Sequence, residues 1–140
     1  MKKSILAIII ALLALSFTGT EDKGSKRKLK ILAKEYFEAF HNGELEKVYT
    51  YLSDDCVIKV STNEPRNAKE FLKTSAEFIS TLTFRTKAMY TSTTTNNVII
   101  DFSFTTPEDK QGRSKTIDAI DIIEFDINKK IKKIQVITND

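Results

Sequence analysis

The chain has 140 residues, 22 basic and 19 acidic side chains, one histidine, one cysteine and no tryptophan. That length suits one domain. The lone histidine excludes metal centres built on histidine clusters, the single thiol excludes an internal disulfide, and no glycine-rich phosphate loop is present.

Met1-Lys2-Lys3 supplies a charged start, Ile5 to Phe17 is uncharged, and Thr18-Gly19-Thr20 leads into charged sequence. This is the order of a secretory signal peptide, so residues 1–20 are read as one and the protein as secreted or periplasmic. The apolar run is short of the roughly 20 residues a spanning helix needs. Cleavage fits Ala14/Ser16 or Thr18/Thr20, and Lys23, Lys26, Arg27, Lys28 and Lys30 form a basic flank that opposes translocation. An uncleaved anchor is the alternative, and membrane contact is expected only in that case. No cysteine follows the apolar run, which excludes bacterial lipid attachment there. Removing residues 1–20 takes away two of the 22 basic residues and no acid, leaving 20 against 19, or +1. So neutral a surface offers no field for nucleic acid.

Residues 21–28 read as a flexible lead-in with Ser25 as an N-cap, and 29–140 as the folded domain. Leu29, Leu32, Ala33, Tyr36, Phe37 and Phe40 lie on one helical face, which Gly43 terminates. Leu45, Val48, Tyr49 and Leu52 continue as a second helix. Ser53-Asp54-Asp55 reads as a turn and Cys56 to Ser61 as the first strand, with a buried, inert thiol. Asn67 and Glu70 resemble a capping pair ahead of a third helix with Phe71, Leu72, Ser75, Phe78, Ile79 and Leu82 on its apolar face. The period then becomes two. Strands are expected over 83–90, 98–105, 115–127 and 131–138, with turns at 94–97, 107–112 and 128–130. Segregated helices and consecutive strands predict an α+β domain with an antiparallel sheet.

The strand over 115–127 carries the chemistry. One face reads Ile117, Ala119, Asp121, Ile123, Phe125, so Asp121 points inward with apolar neighbours. A buried carboxyl is protonated or finds a donor, and a protonated one donates to a ligand oxygen. The structural alternative is an aspartate satisfied by a backbone amide or a neighbouring side chain. Tyr36, on the buried face of the first helix, either packs as a core tyrosine or turns its hydroxyl toward the same space. Two such donors would suit a carbonyl or enolate oxygen. His41, at a helix C-terminus, suits a partly positive imidazole. Ile120 and Ile122, on the opposite strand face, predict a surface covered by a second copy, a loop or an N-terminal segment.

Tyr36-Phe-Glu-Ala-Phe-His-Asn-Gly-Glu-Leu, Tyr51-Leu-Ser-Asp-Asp-Cys-Val, and Ile120-Asp121-Ile-Ile-Glu-Phe-Asp followed by Lys130-Ile-Lys-Lys-Ile resemble SnoaL-like proteins of the nuclear transport factor 2 (NTF2) superfamily. The resemblance spans about residues 27–138. It implies an NTF2-like (cystatin-like) cone, a curved antiparallel sheet wrapped around three N-terminal helices, and dimerisation through the sheet. Ketosteroid isomerases of that superfamily use a tyrosine and an aspartic acid as oxyanion donors, which match Tyr36 and Asp121. Their aspartate base falls at Val60, which cannot take a proton.

The leading expectation is therefore a non-catalytic domain binding a small, largely apolar molecule. Tyr36 and Asp121 anchor it, and Phe40 and Phe102, with Phe37 and Phe78, line or support the cavity. No catalytic residue, metal or cofactor is assigned. One alternative is an isomerase or dehydratase using Glu64, the nearest spare carboxylate; another is an interaction module that forms a homodimer through Ile120 and Ile122.

Overall fold

The computed structural model describes residues 23–139, so the targeting segment read at 1–20 lies outside the described residues. Helix α1 runs through 23–41. It ends in two crossed backbone bonds, Gly43 N–H to the Phe40 carbonyl at 3.1 Å and Glu44 N–H to the Ala39 carbonyl at 2.9 Å. That termination needs a left-handed residue, and Gly43 sits at φ +70°. Residues 23–28, expected as a lead-in, are already helical, and Ser25 is inside the helix rather than its cap. The apolar row that starts at Leu29 was only the buried part of a longer helix.

Helix α2, Leu45–Tyr51, passes without a loop into strand β1, Leu52–Val60. The expected turn at Ser53-Asp54-Asp55 is instead an irregular stretch of β1. There the register slips, Leu52 facing Ile131 but Val57 facing Lys133. Turn-forming residues supply the local irregularity without ending the strand. A two-residue strand β2, Arg66–Asn67, precedes α3, Ala68–Ser80. Asn67 caps α3, accepting from the Glu70 amide at 3.1 Å, as the Asn67/Glu70 pair predicts.

Strands β3 (Thr83–Thr91), β4 (Asn97–Thr105), β5 (Thr116–Phe125) and β6 (Ile131–Thr138) form an antiparallel meander. The Asp126 side chain builds the last turn by accepting from the Asn128 and Lys130 amides at 2.8 and 2.9 Å. The sheet order is β2-β1-β6-β5-β4-β3, and the β1–β6 pair is parallel. The sheet is thus mixed, curved and open. The parallel pair arises because β2 and helix α3, which follow β1, carry the chain to the far edge of the sheet, and the meander then brings β6 back beside β1 in the same direction.

The core lies between the inner sheet face and the helices. Ile100, Ile123, Ile131 and Ile134 are buried against Leu29, Ala33 and Phe37 of α1 and Leu72 of α3. Cys56 belongs to this core, and burial pushes its thiol up to about 12, so it is unreactive at neutral pH. Ile123→Ala should cost about 2–5 kcal/mol through lost contacts and a residual cavity. Urea unfolding checks this, and a loss below 1 kcal/mol would place Ile123 outside a close-packed core.

Candidate functional site

The site follows from the pleat of β5. Ala119, Asp121, Ile123 and Phe125 are buried, whereas Asp118 and Ile120 on the opposite face are exposed. Asp121 is 5 % exposed and lies between Ile100 of β4 and Val136 of β6. Its Oδ1 is fully covered and has no hydrogen-bond partner. Loss of solvation raises its pKa to about 7.

Asp121 faces a cavity of about 170 Å³. The four residues expected to bind a ligand, Tyr36, Phe40, Phe102 and Asp121, all lie in its wall. Tyr36 is 2 % exposed, and burial first, then the Asp121 charge, raises its phenol well above the usual range. The phenol therefore stays protonated and available as a donor. Phe37 stands behind the wall, edge-on to Phe102 at 4.9 Å between ring centroids, and Phe40 meets Phe84 at 5.3 Å. Phe78 lines the cavity but is 60 % exposed, at its outer end.

Residues not assigned to the site from sequence complete it. Helix α3 contributes Phe71, Ser75 and Ile79, and Phe84, Phe104, Val136 and Thr138 come from the sheet. The apolar row of α3 was visible, but helical period alone does not tell a packed row from one that borders a hollow. Val60 also lines the cavity. Glu64 does not; it borders an adjoining 50 Å³ recess, with Asn63 and Arg66, whose wall shares Ile58, Val60 and Phe71 with the cavity. Asp121 is thus the one carboxyl in the cavity wall among the described residues.

His41 differs from expectation. Its ring stacks on Phe84 at 4.5 Å, and its Nε2 is buried without a partner. Burial lowers its pKa, against a smaller opposing effect of Glu38, so the imidazole is neutral rather than partly positive. Packing against aromatic rings here outweighs the helix terminus. A larger groove of about 510 Å³ lies between α1 and β3, with Phe37 and Met89 in its wall and Arg27, Lys30 and Lys34 at its rim. None of the polar residues lining it is buried, so no desolvated group is poised there. Among the described residues, no three His, Cys, Asp or Glu side chains gather as a metal site.

The profile of the SnoaL-like domain matches residues 33–134. No curated protein matches the sequence. Among solved structures, an NTF2-like protein of unknown function from Cytophaga hutchinsonii is 16% identical, with a TM-score of 0.65, over 79% of this chain and 98% of that one. SalBIII, an epoxide hydrolase/cyclase-like enzyme of pyran ring formation in salinomycin, is 16% identical (TM-score 0.68) over 81% and 92%. A candidate ketosteroid isomerase from Kribbella flavida is 11% identical (TM-score 0.69) over 82% and 80%. At such identities the likeness is one of fold: the α+β cone of NTF2-like proteins.

The Asp121 carboxyl leaves a signature in stability. Unfolded, it titrates near pH 4; folded, at about 7. The fold prefers the neutral form, so this group's contribution is greatest below about pH 4, falls as pH rises to 7, and is level above that. Between those limits the wild type should lose on the order of a few kcal/mol relative to Asp121→Asn. Unfolding curves at several pH values check it, and parallel profiles for the two proteins would refute it.

Proposed function

The chain belongs to the SnoaL-like domain family, and from that premise we propose that it binds a small, largely apolar molecule in the Tyr36–Asp121 cavity without transforming it. The observation that carries this reading is the covered Asp121 Oδ1 without a partner, facing a hollow of otherwise mostly apolar walls. Buried polar groups are ordinarily satisfied, and a ligand atom is the natural complement of one that is not. The size of the hollow bounds the ligand. A cavity of about 150 Å³ takes one benzene ring, so about 170 Å³ corresponds to a single-ring molecule.

The absence of turnover rests on what stands around the cavity. Enolisation needs a base within hydrogen-bond reach of the substrate. Val60 occupies the position that matches the isomerase base, and Glu64 lines the adjoining recess and not the cavity itself. The one carboxyl in the wall among the described residues, Asp121, is assigned to holding the ligand. Export is part of the same proposal, resting on the order of residues in Met1–Thr20.

A fragment screen followed by Tyr36→Phe and Asp121→Ala tests the pocket. Tyr36→Phe should weaken binding about five- to tenfold, the worth of one hydrogen bond, and Asp121→Ala should weaken it further. Unchanged affinity in both variants would overturn the assignment.

A second surface supports self-association. On the outer sheet face Ile120 and Ile137 are cross-strand neighbours, 40 % and 41 % exposed, and Ile122 is half-buried beside them. We propose that this face pairs two copies of the chain, since a pair of copies would cover the patch on both at once. Light scattering should report a dimer for the wild type and a monomer for Ile122→Lys; a monomeric wild type removes the proposal.

A further inference from the structure

We propose that the polar group held in this cavity is a protonated amine, so that the site selects a small aryl or alkyl ammonium over a neutral molecule of the same shape. The inference rests on the pocket reading above and adds the chemical class of its ligand. Its basis is the composition of the wall. Asp121 is buried and its Oδ1 has no hydrogen-bond partner. No lysine, arginine or histidine lines the cavity. The phenol of Tyr36 and the hydroxyls of Ser75 and Thr138 are the other polar side chains, and six phenylalanines (Phe40, Phe71, Phe78, Phe84, Phe102 and Phe104) make up much of the remainder.

Such a wall has acceptors and an acid but no cation. An ammonium carries three donors and a full positive charge, which matches an unpaired carboxylate and oxygens that also accept. Phenylalanine rings add attraction for a cation brought close to them. A ligand oxygen that only accepts could pair with the neutral acid and the phenol but not with the ionised carboxylate, which needs a donor. Desolvating an amine is costly, and the carboxylate is the group that offsets it.

This inference has a definite pH signature. The groups facing Asp121 across the cavity are Tyr36 from α1, Ser75 and apolar residues from α3, Ile58 and Val60 from β1, and Phe102, Phe104, Ile134, Val136 and Thr138 from the neighbouring strands. Cys56 is close enough to influence Tyr36. Tyr36 and Cys56 are both held neutral near pH 7, so Asp121 is the group that titrates there. An ammonium binds its charged form. Affinity should therefore rise about tenfold between pH 6 and 8, the change in the ionised fraction of a group titrating at about 7.

The experiment is calorimetric titration of the full chain in detergent-free buffer with benzylamine and with benzyl alcohol, at pH 6 and 8. Benzylamine is expected to bind more tightly than the alcohol at pH 8 and to lose about tenfold at pH 6. Asp121→Asn, which keeps the side-chain shape but cannot ionise, is expected to abolish both the preference for the amine and the pH dependence of its binding. Alcohol binding with no amine preference would overturn the ammonium inference while leaving the pocket reading intact. If neither probe binds, the inference falls, and the pocket reading falls with it only if the wider fragment screen is also blank. Should the variant fail to fold, the pH dependence of the two probes on the wild type decides alone.

Discussion

The inward turn of one carboxyl in β5 is the constraint on which the rest of this molecule depends. Side chains of a strand alternate between faces, so Asp121 cannot leave the interior unless Ala119, Ile123 and Phe125 leave with it. Burying those residues outweighs the cost of covering the acid, and the ladder pairs with Ile100 and Val136 hold the register on both sides. The acid is therefore retained by its neighbours, against its own preference for water. Its unmet need for a partner is the feature on which the proposed ligand contact rests.

The hollow it faces is left by three elements that meet imperfectly. The C-terminal end of α1 is tied to the sheet by rings, with Phe37 against Phe102 and Phe40 and His41 against Phe84. Helix α3 buries Ala68 and Leu72 near its start, but Phe78 near its end stands 60 % exposed. The packing is thus dense at the deep end of the cavity and sparse at its outer end. At about 170 Å³ the hollow is smaller than the roughly 300–1,000 Å³ usual for sites that take larger ligands.

Much of this was legible in the residues. Period-two rows in β4, β5 and β6 give their faces directly, and the inward place of Asp121 follows from that alone. The 3.6-residue row from Leu29 to Phe40, with Gly43 after it, gives α1 and puts Tyr36 inside. Other features depend on tertiary contacts that no local pattern encodes. Ser53-Asp54-Asp55 has turn chemistry, yet the pairing of Leu52 and Val57 with β6 on either side of it keeps it within a strand. The parallel sense of β1 and β6 depends on the whole connection between them. Lys23 to Lys28 lacks an apolar stripe because it extends beyond the core, so its helical state has no hydrophobic signature. Ser75 and Thr138 join the site only through the approach of α3 to the end of β6.

The same parallel pair governs the order of assembly. Strand β1 is made early, but its partner on one side is β6, with Leu52 facing Ile131 and Val60 facing Val136, and the two-residue β2 is all it has on the other. A growing chain can close the hairpins of the meander as they appear, whereas β1 has no lasting neighbour until nearly every described residue has been synthesised. Contacts of such long sequence separation fold slowly and late. A nascent chain of this kind stays uncommitted, and loss of the final strand would unseat the first.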